Sequence, residues 1–261
     1  MLDEIMAHKR QELRTRRRAV PLADLRARGT DQPPPLDFAP ALQGRSVGLI
    51  AEVKRASPSR GVLCPDFDPV GLAKTYTTSG AVAISVLTDD KFFQGKLEYL
   101  ARIRGVLGPT VPLLRKDFIF DPYQIYEARA YGADALLFIV AILSDKMLAR
   151  LLTLTREIGM AALVEVHNEE EIERVLPLRP QVVGINNRNL RDFSVDLATF
   201  ERLRPLLPDG TVAVAESGVR TAADVRRLAV MGADAVLVGE ALVTAPERAA
   251  KVQELVKGGI A

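Results

Sequence analysis

From residue 47 onward the chain alternates short β-branched or aliphatic runs with longer stretches of helical period, and it does so eight times. The runs fall at 47–53, 81–87, 111–114, 134–140, 161–166, 182–185, 211–215 and 235–238. The helical stretches lie near 68–79, 96–106, 122–131, 144–158, 169–176, 196–206, 221–230 and 246–257. Strict alternation implies a parallel sheet covered by helices, because parallel neighbours need a crossover long enough to hold a helix. Eight units at about 27 residues each match the ~30-residue size of one βα repeat. Gly132-Ala133-Asp134-Ala135-Leu136 recurs as Gly232-Ala233-Asp234-Ala235-Val236, about four units later, each glycine standing where a left-handed residue ends a helix before a strand. A doubly wound sheet usually has five or six strands and a Gly-rich first turn, and no G-x-G-x-x-G follows any run. The expected fold is α/β, a single TIM (β/α)8 barrel with an N-terminal helical extension.

That extension differs in charge from the rest. Residues 1–28 hold eight Lys/Arg against four Asp/Glu, a net +4 in a chain whose total is +2. Ile5, Leu13 and Ala19 give the first helix a thin apolar stripe, so it should dock on something while a basic face stays solvated. Gly29 to Pro40, with Pro33-Pro34-Pro35, reads as an extended connector, which divides the chain into an extension at 1–40 and a barrel at 41–261. With the core expected wholly in the eight βα units, the extension should be dispensable for folding. Its charge invites a nucleic-acid reading, against which a solvated helix face is the simpler account; neither a nucleic acid nor a membrane is expected as a partner. No apolar run approaches the ~18 residues of a membrane span, and the start is too polar for a signal peptide, so the expected location is cytoplasmic. One cysteine, Cys64, and two histidines, His8 and His167, leave no Cys cluster or His-rich centre, and no metal or cofactor is expected.

A TIM barrel carries its chemistry at the C-terminal ends of its strands. The first strand ends Ala51-Glu52-Val53-Lys54-Arg55-Ala56-Ser57-Pro58-Ser59, and Glu52 and Lys54 share parity, so both face the barrel mouth. The third ends Leu114-Arg115-Lys116-Asp117-Phe118, the fifth Leu163-Val164-Glu165-Val166, the sixth Gly184-Ile185-Asn186-Asn187-Arg188, and the seventh Ala215-Glu216-Ser217-Gly218. Two lysines, three glutamates and an asparagine thus converge on one cavity. Burying so many charges costs several kcal/mol per ion unless they are paired, more than a purely structural design would accept. Lysines and glutamates at close range in a partly desolvated pocket acquire shifted pKa values suited to acid and base work. His8 and His167 fall outside these strand ends, and Cys64 stands beside Pro65, so nucleophilic acyl transfer is disfavoured. Ser217-Gly218 and Gly239-Glu240 offer glycines and free N–H groups where such barrels bind phosphate. The fourth strand ends without a charge, and with Phe92, Phe93 and Phe118 it could wall a flat ring.

Read in order, these five strand-end motifs closely resemble the indole-3-glycerol-phosphate synthase family, and the likeness runs on through Asn189-Leu190 and back to an initial helix of the type Ile5-Met6-Ala7-His8-Lys9-Arg10. The resemblance implies a cofactor-independent carbon–carbon lyase, a carboxy-lyase, that closes the ring of 1-(2-carboxyphenylamino)-1-deoxyribulose 5-phosphate with loss of carbon dioxide and water. It implies Lys116 as proton donor in ring closure and Lys54 and Glu165 as acid and base of dehydration. Glu52, Asn186 and Glu216 would orient hydroxyls and lysines. Ser57, Phe118, Arg188, Ser217, Gly218, Gly239 and Glu240 would bind substrate, a small phosphorylated anthranilate derivative. Some members carry a hydroxyl residue where this chain has Glu240, whose carboxylate should therefore face away from phosphate. A phosphoribosylanthranilate isomerase would place a cysteine at the end of the first strand; Lys54 stands there instead.

Overall fold

The aliphatic runs become strands and the 3.6-period stretches become helices. In the computed structural model, which describes residues 2–44, 46–189 and 194–260, the barrel strands are β1 (Gly48–Val53), β2 (Ala83–Leu87), β3 (Leu113–Lys116), β4 (Ala135–Ile139), β5 (Ala161–Val166), β6 (Val182–Asn186), β7 (Val212–Glu216) and β8 (Ala235–Val238), and a short hairpin pairs Ala56–Ser57 with Gly61–Val62. Before the barrel come α1 (Leu2–Ala19), α2 (Leu22–Thr30) and α3 (Phe38–Leu42). Between and after the strands lie α4 (Pro69–Thr78), α5 (Glu98–Leu107), α6 (Pro122–Ala130), α7 (Asp145–Glu157), α8 (Glu169–Val175), α9 (Ala198–Leu203), α10 (Ala222–Val230), α11 (Glu240–Val243) and α12 (Arg248–Gly258). Among the described residues the eight strands form one closed parallel barrel in sequence order, β8 meeting β1 in the register Gly48↔Ala235 to Ala51↔Val238. This is a TIM barrel. Leu190 of the sixth strand-end motif lies outside the described residues.

Period-two alternation sorts each strand's side chains. Ile50, Leu114, Leu137, Leu163, Val214 and Leu237 fill the barrel interior, while Leu49, Ala51, Val53, Val164 and Ile185 face the helices. Phe38 and Leu42 of α3 join the inner cluster beside the strand starts Ala83, Ala135, Val182 and Val212, plugging the bottom of the barrel. Burying two such side chains stabilises the fold by about 1.5–3 kcal/mol each. The extended connector is therefore shorter than 29–40: α2 takes its first two residues, and α3 crosses the boundary at residue 40. Phe38 is barrel core, so the core is not confined to the βα units.

The internal repeat has a physical cause. Gly132 and Gly232 sit at φ +83° and +85°, conformations that cost a side-chain-bearing residue about 1 kcal/mol. The aspartate two places on turns back to the preceding strand. Asp134 accepts from the Leu113 N–H and Asp234 from the Ala213 N–H, each at 2.7 Å.

Helix α1 keeps Arg10, Arg14, Arg17 and Arg18 on an exposed basic face, but Lys9 is buried and Arg16 is half-buried. Its buried residues are Ile5, Met6, Lys9 and Leu13, whereas Ala19 is exposed. Lys9, only 2% exposed, places Nζ 2.8 Å from Asp117, 2.9 Å from Glu12 and 3.5 Å from Asp89. Asp117 meets Arg115 at 3.1 Å, Arg115 meets Glu127 of α6 at 2.8 Å, and Glu127 meets Arg16 at 3.1 Å. Arg16 pairs with Glu12 and so closes a ring of three cations and three carboxylates. Alternating signs make such burial tolerable, since each ion replaces lost hydration with a partner. Arg17 is paired too, with Asp121. Leu13 and Leu25 then pack on Tyr123 and Ala130 of α6. No helix of the described residues is long and apolar enough to cross a membrane.

Candidate active site

The strand parity that fills the barrel with aliphatics ends, one layer higher, in charges. Glu52, Lys116, Glu165, Asn186 and Glu216 continue the inward-facing series of β1, β3, β5, β6 and β7, and Gly239 continues that of β8. They line a cavity of about 910 Å³ at the C-terminal mouth, together with Lys54, Ser57, Phe118, Arg188, Ser217, Gly218 and Glu240. Every site residue expected from the sequence is thus on one cavity, of a size that suits a drug-sized ligand.

At its floor, the Lys116 ammonium lies 2.9 Å from Glu216 Oε2 and 3.4 Å from Glu165 Oε2. Asn186 Nδ2 donates to Glu165 Oε1 at 3.0 Å, and Asn186 Oδ1 accepts from the Arg188 N–H at 3.0 Å. Lys54 Nζ stands 3.3 Å from Glu52. Burial works against the charge on Lys116, but Glu216 and Glu165 outweigh it and hold the amine protonated well above the usual lysine range. Burial likewise opposes charge on Glu165, yet Lys116 and His167 prevail and keep its carboxyl well below the usual range. Glu216 goes the other way: burial dominates the attraction of Lys116 and pushes it up to about 7. At rest the site therefore holds an ammonium on Lys116, a carboxylate on Glu165 and, in Glu216, a carboxyl raised toward neutrality. That set can give and take protons in the same turnover.

Two glycines make room for the carboxylates. A Cβ at Gly184 would meet Glu216 Oε1 at 2.1 Å, and one at Gly239 would meet Glu52 Oε1 at 2.3 Å. Gly239 is thus required by Glu52, whatever it offers an anion. Ser217 and Gly218 both adopt left-handed backbone, φ +64° and +85°. Asn187 supports the strained Ser217 by donating Nδ2 to the carbonyls of Glu216 and Ser217, at 3.0 and 3.1 Å. The Glu240 carboxylate is turned to Arg60, 3.4 Å away.

The chain matches the family described as indole-3-glycerol phosphate synthase over residues 2–255. It belongs to that family. It is 55% identical over 262 residues to the indole-3-glycerol phosphate synthase of Roseiflexus sp. (strain RS-1), spanning 98% of this chain and 97% of the relative. Against the protein of that name from Dehalococcoides mccartyi the identity is 50% over 257 residues, 98% of this chain and 99% of the other. The chain is accordingly an enzyme of the carboxy-lyase class, acting on a small molecule. Its barrel also overlays a solved 3-hexulose-6-phosphate synthase, with a TM-score of 0.64 at 16% identity over 81% of this chain and 99% of that one. For the Salmonella typhimurium protein of the same name the TM-score is 0.67 at 12% identity, over 81% and 98%. That likeness concerns the fold.

Several features of the site lie outside the sequence reading. His167 does not stand apart from the strand ends: it follows β5 directly, with Nε2 3.2 Å from Glu165 Oε1. Leu2 and Ile5 of α1 line the cavity, as do Arg60, Arg220 and Lys251. Of the three phenylalanines expected to form a wall, Phe93 and Phe118 do so with ring centroids 6.3 Å apart, and Lys54 Nζ lies 5.9 Å from the Phe93 ring. Phe92 instead packs edge-on against His8 at 5.8 Å. The N–H groups of Phe92 and Phe93 both donate to Asp89, in a turn that sends adjacent rings to opposite sides.

Proposed function

We propose that the chain converts 1-(2-carboxyphenylamino)-1-deoxyribulose 5-phosphate to indole-3-glycerol phosphate, carbon dioxide and water, with lysines and glutamates as acids and bases. The observation that carries this reading is the Lys116 ammonium held between Glu216 and Glu165, at 2.9 and 3.4 Å, on the floor of a cavity walled by aromatic rings. In ring closure the ring carbon bearing the carboxylate bonds to the ketone carbon, and the carbonyl electron pair moves to oxygen. Lys116 gives that oxygen its proton. The bond to the carboxylate then breaks as carbon dioxide leaves, and its electrons restore the aromatic ring. Lys54 protonates the new hydroxyl as it departs, and Glu165 takes the remaining proton from the neighbouring carbon to complete the double bond. Glu52, paired with Lys54, and Asn186, bonded to Glu165, orient these groups, while Glu216 fixes Lys116.

Phe118 and Phe93 flank the anthranilate ring. Ser57 and Arg188 lie toward the anionic groups. Backbone N–H groups at Ser217, Gly218, Gly239 and Glu240 receive the phosphate, as preorganised donors suit an anion. The extension at 1–40 serves the barrel at 41–261 at both ends, Leu2 and Ile5 of α1 bordering this mouth and Phe38 of α3 filling the floor. Incubation with the carboxyphenylamino-deoxyribulose phosphate tests the reading: indole fluorescence should appear with release of carbon dioxide. The chain has no tryptophan, so the protein's own signal is low. A folded protein that yields neither product would overturn it.

A further inference from the structure

Among the described residues outside the groups given roles above, His167 is an ionisable, mostly buried side chain that touches the reacting cluster directly. His167 is the first residue beyond β5 and its side chain is 10% exposed. Its Nδ1 lies 3.1 Å from Glu171 Oε2, and its own N–H donates to the same oxygen at 2.8 Å. Glu171 is itself fixed, its N–H donating to Asn168 Oδ1 at 2.9 Å at the start of α8. On the opposite edge of the ring, Nε2 stands 3.2 Å from Glu165 Oε1. A carboxylate near each nitrogen favours the doubly protonated ring, since an ionised carboxylate only accepts; the Glu171 side is a hydrogen-bond contact and the Glu165 side a charge contact without hydrogen-bond alignment.

We propose that His167 is a positioning residue, a buried cation that holds Glu165 as a carboxylate and occupies its Oε1, leaving Oε2 for Lys116. The geometry divides the two oxygens in this way: Oε1 receives Asn186 Nδ2 at 3.0 Å and faces His167, while Oε2 faces the Lys116 ammonium at 3.4 Å. The charged groups acting on Glu165 are Lys116 from β3, Glu216 from β7 and His167; those facing His167 are Glu165 and, from α8, Glu171. Burial opposes the charge on His167, and the two carboxylates overcome it, carrying the ring up to about 10. Capping α8 would need only the Glu171 contacts. The approach to Glu165 is what a capping histidine has no use for.

The inference rests on Glu165 being the base of the proposed reaction, and its test separates the two. The pH dependence of kcat is measured for the wild type, His167→Asn, His167→Gln and Glu165→Gln. Asparagine can still donate toward Glu171 but falls short of Glu165, whereas glutamine can reach Glu165 without charge. With the cation gone, Glu165 binds its proton more readily, so the acid limb it contributes to kcat, which lies below that of Glu216, should move up in both His167 variants. The Asn variant should lose kcat several-fold at neutral pH with KM little changed, and the Gln variant should recover part of it. A wild-type limb and kcat in His167→Asn, beside an impaired Glu165→Gln, would leave His167 as a helix cap and overturn the inference alone. An unimpaired Glu165→Gln would overturn both. Imidazole NMR titration of the wild type and Glu165→Gln gives a reading that no unfolded His167 variant can obscure, the chain having only two histidines. The resonances of His167 should titrate above the ordinary histidine range and move down in Glu165→Gln; an ordinary, unmoved titration would refute the clamp.

Discussion

Replacing Lys9 by methionine removes one cation from the closed ring that docks α1 beside Lys116, at nearly constant side-chain volume. The ammonium is 2% exposed and sits 2.8 Å from Asp117, 2.9 Å from Glu12 and 3.5 Å from Asp89. Losing one partner of a buried pair typically costs 3–5 kcal/mol, because the other charge stays behind without compensation. Asp117 keeps Arg115 at 3.1 Å, so the lower end, about 3 kcal/mol, is expected. For a chain of this size that corresponds to a fall in Tm of roughly 6–12 °C. The cost should also depend on pH. Burial opposes ionisation of Asp117, but Lys9 and Arg115 hold its carboxyl well below the usual range. A carboxyl lowered on folding contributes stability above its unfolded value, and that stability is lost as pH falls through the folded one. The gap between wild type and Lys9→Met should therefore be full at pH 7 and narrow as pH drops below about 4, where the unfolded carboxylates protonate. Urea unfolding at several pH values measures it. A loss under about 1 kcal/mol at pH 7 would refute the ring as the tie. A loss that ignores pH would point to packing instead of charge.

Glu165→Gln should lower kcat by about two orders of magnitude or more while KM changes little, since the amide keeps shape but takes no proton; steady-state kinetics showing a change in KM alone would make Glu165 a binding group. Gly239→Ala puts a Cβ 2.3 Å from Glu52 Oε1, so kcat/KM should fall by about tenfold or more as Glu52 and Lys54 shift, and an unchanged kcat/KM would show that Glu52 has no part in the site. Deleting residues 1–30 should leave a folded but less stable barrel with KM raised several-fold, because Leu2 and Ile5 line the cavity; a loss that shrinks at high salt would trace instead to the exposed arginines of α1. Extending the deletion through residue 40 removes Phe38 from the barrel floor and should abolish cooperative unfolding in calorimetry.

What could be read without coordinates was what period and parity control. The alternation of runs located all eight strands to within about two residues, and the shared parity of Glu52 and Lys54 placed both at the mouth. Spacing along one strand says nothing about partners far along the chain. Lys9 looked like part of a solvated basic face because Asp89 and Asp117, which bury it, lie 80 and 108 residues away. His167 was set aside for lying one residue past the apolar run, although that is where a side chain can turn back on Glu165. Phe92 and Phe93 differ only by a turn around Asp89, which no hydrophobic pattern records. The glycine at 184 carried a signal that could have been used: an inward position at the level of Glu216 with no side chain implies that something else fills the space.

The rate of indole fluorescence from wild type and Lys116→Ala tests the central claim most directly. The substitution removes the ammonium between Glu216 and Glu165 and takes nothing from the hydrophobic clusters. With circular dichroism and unfolding showing a native barrel, turnover should fall by about 10²- to 10⁴-fold, the range expected when a general acid is lost. A folded Lys116→Ala enzyme that keeps more than about a tenth of the wild-type kcat would contradict the assignment of Lys116 as the proton donor.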